Sequence, residues 1–466
     1  MSHRDFRVAC GRLNASCLKL ALDWLLHTVD WSGVVFRKDC TWTPRLLTAM
    51  ALLWAWSDES TLVERFASAR RLVAYLFRPA HALSETYPCF TKLLRRWTDT
   101  LIARLQVALR ERLEQELAGC QRVLGFVMFG VDGSRCDLPR TCSNEQAYSS
   151  TRKRKRKKKS RPGRKPRNQA CLRKANSPQL WLTTLWHVGA GLPWDWRIGP
   201  SDSSERAHLV EMLPHLPPQT LITADAGFVG YEYLRAILDS QRHLLIRVGS
   251  NVRLLKKLGY ARRESHDTVY LWPDSRRDQA PLVLRLVEAH GGRHPVFLVT
   301  SVLSSSRLSD RQVVELYARR WGIELFYRHL KQTFGRRKLR STRAENALVE
   351  LHWSLVGLWA MALYALIQLQ YENPPPGRLS IARVLRAFRR MMRDYRHPAE
   401  RGNSLRDRLR VACIDPYQRQ NKTSRNYPRK KQQSAAGPPQ ILVASRDQVA
   451  SAKTLRHNLL KKRETA

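Results

Sequence analysis

Acidic residues are scarce in this chain: 39 Asp and Glu stand against 82 Lys and Arg, a formal net charge of +43 over 466 residues. A chain so unbalanced repels itself unless a polyanion lies close by. Nucleic acid is the most available one, although an anionic membrane surface or a ribosome satisfies the same arithmetic. Paired cysteines are also missing. The nine thiols, at positions 10, 17, 40, 89, 120, 136, 142, 171 and 413, contain no C-x-x-C and are odd in number. That argues against a zinc ribbon and a disulfide framework, and leaves reduced, mostly buried thiols. No long apolar run is present either. Leu355–Leu369, interrupted by Gly357, Trp359 and Tyr364, falls short of a comfortable membrane span and reads as a buried core helix. Asp5 and Arg7 interrupt the opening residues, so no secretory leader is expected there. The resulting expectation is a soluble, cytoplasmic, nucleoid-associated protein with no membrane partner.

What the chain does have is a 43% hydrophobic content, enough for a sizeable core and two to four domains. Residues 1–118 read as helical. Thr43-Pro44 caps a helix running to Trp56, and Thr61 with Glu64 forms a capping box before the run to Phe77. Leu101, Leu105, Leu109, Leu113 and Leu117 repeat every four residues until Gly119 stops the helix. Two readings suit this region: a DNA-binding module, or a solvated helical bundle.

After Gly119 the text becomes short strands. An apolar run, Val123–Val131, ends at Asp132-Gly133, and Gln179–Val188 and Trp194–Ile198 suggest a hairpin around Gly191-Leu192-Pro193. Ser203–Leu213 is helical, Thr220–Thr223 is a strand ending at Ala224-Asp225, Gly230–Ser240 is helical and Leu244–Val248 is a strand. This alternation over 119–249 suits a mixed α/β sheet. Residues 250–305 form a β-rich insertion with strands at Thr268–Trp272, Leu282–Val287 and Val296–Val302. Residues 306–372 return to helix and close the α/β unit. A basic tail over 373–466 holds an amphipathic helix (Ile381, Val384, Leu385, Phe388, Met392) and then polar text expected to be mobile from about 416 onward.

The sharpest local signal lies at 317–335, where Tyr317, Arg320, Glu324 and Lys331 stand at offsets 0, 3, 7 and 14. In a continuous helix these share one stripe, while Val313, Val314, Leu316, Trp321, Ile323, Leu325, Phe326 and Leu330 make the surroundings apolar. Such a stripe faces a cleft or ligand, or else is a surface row of intrahelical ion pairs. Asp132 and Asp225 each stand at the end of an apolar strand with a glycine within two residues. An Asp there is often only a turn residue. Together with Glu324, however, they make three carboxylates able to share hard divalent cations, magnesium above all. Asp137 is a rival to Asp132.

The text Y-A-R-R-W-G-I-E-L-F-Y-R-H-L-K, preceded by V-D-G-S and A-D-A-G-F-V-G-Y, resembles the Tyr-Arg-Glu-Lys signature and the two Asp motifs of bacterial insertion-sequence DDE transposases. The resemblance covers about 120–370. It implies a ribonuclease H-like fold in which Asp132, Asp225 and Glu324 are catalytic and hold two Mg²⁺ ions, with Mn²⁺ as a substitute. By the same resemblance Tyr317, Arg320 and Lys331, with Arg328 on the same helix, contact DNA. Trp272 is the only tryptophan in the insertion and a candidate to stack on a flipped base. The first motif reads D-G-S where D-G-T is usual. The larger departure is the basic run from Thr151 to Arg167, including Lys153, Arg154, Lys155, Arg156 and Lys157, which is expected to hold DNA phosphates. The expected activity is metal-dependent cleavage at transposon ends and 3′-hydroxyl strand transfer into double-stranded target DNA by a homodimer. A nuclease without strand transfer and a non-catalytic DNA-binding derivative are the alternatives.

Overall fold

The structure is a computed structural model, and it describes residues 14–150, 177–290, 294–370, 379–396, 404–412 and 437–464. The basic run 151–167, with Lys153, Arg154, Lys155, Arg156 and Lys157, lies outside the described residues.

Among the described residues four helices come first: α1 (Asn14–His27), α2 (Pro44–Trp56), α3 (Leu62–Phe77) and α4 (Tyr87–Glu116). Their starts follow from local chemistry. The Thr43 hydroxyl accepts the Leu46 N–H with Pro44 in the first turn, and Thr61 and Glu64 close a reciprocal capping box. The 30 residues of α4 make a rod about 45 Å long.

The sheet begins with β1 (Arg122–Val123) and β2 (Phe126–Asp137), then α5 (Cys142–Tyr148), β3 (Gln179–His187) and β4 (Leu192–Gly199). Next come α6 (Glu205–Met212), β5 (Leu221–Ala224), α7 (Tyr231–Asp239) and β6 (His243–Val248). β2, β3 and β4 form an antiparallel meander, while β5 and β6 run parallel to β2 on its other side. The order β4-β3-β2-β5-β6 is a mixed α/β sheet of the expected ribonuclease H-like kind.

Strands β7 (Arg253–Lys256), β8 (Thr268–Leu271), β9 (Leu282–Ala289) and β10 (Val296–Thr300) make up the insertion. They do not form a separate sheet. β10 pairs antiparallel with β6, and β9, β8 and β7 follow outward, so the insertion prolongs the central sheet to ten strands among the described residues. Helices α8 (Asp310–Arg319), α9 (Gly322–Arg328) and α10 (Ala344–Gln368) return to the core. α11 (Ile381–Arg393) and α12 (Leu405–Arg410) pack beside them. The chain then gives β11 (Gln440–Val443) and α13 (Arg446–Glu464). Text expected to be mobile therefore holds a strand, which pairs in parallel with β7 at the outer edge of the sheet.

The centre of the molecule is α10. By length and composition it is apolar enough to cross a membrane, yet nearly all of it is buried, between α2 and α4 on one side and β4 on the other. The N-terminal helices and the sheet thus share one apolar core. Trp56 of α2 is fully buried against Gly357, whose carbonyl accepts the indole N–H at 2.9 Å. The Trp353 indole donates to Thr98 Oγ1 of α4, also at 2.9 Å. A Cβ at Gly357 would stand 3.2 Å from the Trp56 nitrogen, so a small residue is needed at this crossing. Trp56→Ala should lower stability by about 3–5 kcal/mol, read from denaturant unfolding, because it opens a cavity where the helical layer meets α10.

Candidate functional site

β5 ends at Ala224, and its last pairing with β2 is Thr223 against Gly130. Beyond that point β2 continues to Asp137, paired with β3 on its other side and bridged to Lys338 only at Asp137, its last residue. Asp132 therefore lies within a strand, and not at its end as its glycine neighbour suggested. The crevice that β5 leaves open beside it is where open α/β sheets place ligands. Asp225 is the first residue after β5. Its carboxylate caps the short turn Ala226–Phe228, accepting the Gly227 N–H at 2.8 Å.

The third carboxylate arrives on a broken helix. Instead of one continuous helix over 317–335, α8 ends at Arg319, α9 starts at Gly322, and a π-helical turn covers His329–Thr333. At the junction the Trp321, Ile323 and Glu324 N–H groups each reach back three residues, to Ala318, Arg320 and Trp321, which tightens the turn. Trp321, expected on the apolar side, is left 57% exposed. The stripe survives in part. Arg320 pairs with Glu324 at 3.1 Å and lies over the Tyr317 ring at 5.6 Å. Lys331 donates to Ser134 Oγ at 2.6 Å, two residues beyond Asp132 and on the same face of β2. The serine of D-G-S supplies the hydroxyl that receives this ammonium. Arg328 is exposed.

Tyr327 fixes this arrangement. Buried under α9, its hydroxyl donates to the Asp132 carbonyl at 2.7 Å and more distantly to that of Leu182. Because Tyr327 follows Glu324 by three residues, one bond sets the height of Glu324 over β2. Sequence reading missed Tyr327, whose only signal was an aromatic inside an apolar helix.

The charges sense one another. Burial pushes the Asp132 carboxyl up to about 6; the Gly133 N–H and Arg320 draw it down, while Asp225 and Glu324 raise it. Glu205, in the first turn of α6, is another residue that spacing did not reveal. Burial and then Asp132 and Asp225 push it up to about 7. Burial lowers the Arg320 guanidinium, but Tyr317, Asp132, Glu324 and Asp225 more than compensate and hold it above its ordinary value. Burial raises the Tyr317 hydroxyl.

Among the described residues no three His, Cys, Asp or Glu side chains stand close enough to hold a metal ion. The carboxylates are neighbours electrostatically without being drawn into a cluster. The donor chemistry nevertheless fits a hard divalent cation: all the groups offer oxygen, and burial among like charges makes Asp132 and Glu205 costlier to ionise.

Asp137 stands five residues further along β2, where its carboxylate accepts Gln179 Nε2 at 2.7 Å. Trp272 is only 2% exposed. Its indole N–H donates to the Arg276 and Gln279 carbonyls, and Arg277 covers its face at 4.2 Å. A base could stack there only after this packing came apart, so the structure gives Trp272 a place in the core of the insertion.

Two measurements check this geometry. In EDTA, Asp132 and Glu205 hold protons more tightly in the folded chain (about 6 and 7) than at their ordinary 3.8 and 4.5. Their contribution thus favours folding below about pH 4 and is lost as pH rises through about 6 to 7. Thermal melts should show the wild type losing stability relative to Asp132→Asn across that window. Tyr327→Phe should cost about 1 kcal/mol of unfolding free energy through the lost hydrogen bond.

Residues 134–359 match the family model of the transposase DDE domain. A match to the transposase InsG of insertion sequence element IS4 from Escherichia coli (strain K12) is 23% identical over 255 residues. The match covers 53% of this chain, and the chain spans 53% of that relative's length. A solved structure of the piggyBac transposase synaptic complex with hairpin DNA aligns over 90% of this chain and 88% of its own, at 13% identity and a TM-score of 0.39. Over residues 134–359 the chain is therefore similar to the transposase DDE domain, and over 53% of its length to a bacterial insertion-sequence transposase.

Proposed function

We propose that this chain is a DNA transposase that cleaves phosphodiester bonds at the ends of its element and joins the freed 3′-hydroxyl to target DNA. What supports this reading is the similarity to a transposase DDE domain, together with an Asp132 that lies beside the open crevice and within electrostatic reach of Asp225 and Glu324.

DDE transposases use divalent metal ions. Here two Mg²⁺ ions, or Mn²⁺ in their place, would be held by Asp132, Asp225 and Glu324. Bound there, they would activate the attacking hydroxyl and neutralise the leaving oxygen. The remaining roles belong to the chain itself. Arg320, paired with Glu324, keeps part of the carboxylate charge balanced before any ion or DNA arrives. Its aromatic neighbour Tyr317 and the half-buried Lys331 border the same crevice, where Lys331 can exchange Ser134 for a DNA phosphate. Arg328 and the exposed Trp321 lie on the rim, the second being the kind of flat group on which an unstacked base settles. The basic residues Lys153, Arg154, Lys155, Arg156 and Lys157 supply long-range attraction for the phosphate backbone. Two such chains, one per end, would act as a homodimer on double-stranded DNA at the nucleoid.

Glu324→Ala should lower Mg²⁺-dependent cleavage of DNA carrying the element's own ends by on the order of 1000-fold, as for loss of an electrostatic group at the reacting centre. Equal cleavage by variant and wild type would remove Glu324 from the site, and nicking without joining would favour a nuclease. Lys331→Ala should weaken binding similarly across DNA sequences and reduce the slope of log K against log salt by about 1.

A further inference from the structure

Glu205 has no hydrogen bond or ion pair among the described residues, although it is half-buried and lies beside two other carboxylates. Such a group is costly to the fold unless it serves a ligand. Its place is set from three directions. The hydroxyl of Ser204 accepts the Ala207 N–H and opens α6, which puts Glu205 in the first turn. His208, one turn on, is bonded to Thr183 Oγ1 of β3 at 2.9 Å, holding the helix on the sheet. Arg206, the next residue, donates to the Gly227 carbonyl at 2.7 Å, and Gly227 is also the residue whose N–H binds Asp225. Glu205 is thereby tied to the loop that carries Asp225.

The fourth direction is Gly133. A Cβ built there would stand 2.5 Å from Glu205 Cδ and 2.7 Å from Cγ, closer than real atoms approach. The glycine after Asp132 is an ordinary strand residue without positive φ, so turn geometry does not require it. What requires it is the Glu205 side chain, which lies flat on the strand next to Asp132. D-G-S thus reads as three tasks. Asp132 faces the crevice, Gly133 leaves room for a carboxylate from α6, and Ser134 receives Lys331.

We propose that Glu205 is a fourth carboxylate of the metal-binding set, seated beside Asp132 and Asp225 by the missing side chain of Gly133. This rests on the reading of Asp132, Asp225 and Glu324 as metal ligands. Its ligand class is the same hard divalent cation, met directly or through a bound water.

The test is Mn²⁺ binding to the full chain, read by calorimetry or by loss of the free-ion electron paramagnetic signal. It compares the wild type with Glu205→Gln, Gly133→Ala, the double variant and Asp132→Asn. Glu205→Gln should weaken Mn²⁺ binding by about 10-fold or more, the scale seen when a group supporting a metal site is lost. Gly133→Ala should do the same by displacing Glu205, and the double variant should be no weaker than either single one. In EDTA near neutral pH Glu205→Gln should melt no lower than the wild type, because it relieves repulsion; this separates metal binding from a structural role. Binding by Glu205→Gln within about twofold of wild type, with Asp132→Asn deficient, would overturn the assignment of Glu205 alone. Undiminished binding in Asp132→Asn would overturn the metal site itself.

Discussion

The hydrogen bond from Tyr327 to the Asp132 carbonyl joins the two halves of the site, because one element carries the first carboxylate and the other carries the last. Asp132 lies on β2 and Glu324 on α9, 192 positions apart in sequence, and the whole insertion intervenes. Packing of Ile323, Phe326 and Leu330 into the core supplies the energy of docking, and the buried hydroxyl sets its register. With α9 docked there, Arg320 pairs with Glu324 and Lys331 reaches Ser134 on β2.

That crevice comes from unequal strand lengths. β2 overruns β5, so a strand with a hydrogen-bonded neighbour on one side offers its other side to Asp225 and to solvent. Burial among like charges then raises the cost of ionising Asp132 and Glu205. A fold keeps such a repulsive group only where something cationic relieves it, and Arg320 balances part of the charge. The wide excess of Lys and Arg elsewhere favours a polyanion at the surface, while Asp132 and Asp225 lie at the open crevice.

Much of this was legible in the chain. Caps at Thr43 and Thr61, the alternation of strands and helices over 119–249, and the burial of the helix around Leu355 follow from local chemistry and periodicity. Long-range pairing was not legible. Nothing in the text of 250–305 tells that β10 will add to β6 and carry the insertion into the main sheet, or that Gln440–Val443 will close its far edge. The break between α8 and α9 was hidden because Arg320-Trp321-Gly322 fits helical periodicity, and only the structure shows three-residue hydrogen bonds there. Glu205 was invisible for a related reason. Its meaning depends on lying over Gly133, 72 positions earlier, and that contact is made by the packing of a helix on a sheet.

The most direct test of the three-carboxylate site is a crystal structure of the chain with Mn²⁺ and DNA carrying the element's ends, with anomalous maps recorded at the manganese edge. Two peaks about 3.5–4 Å apart are expected, bounded by the carboxylates of Asp132, Asp225 and Glu324. Manganese bound elsewhere, or a site built on Asp137 in place of Asp132, would contradict it.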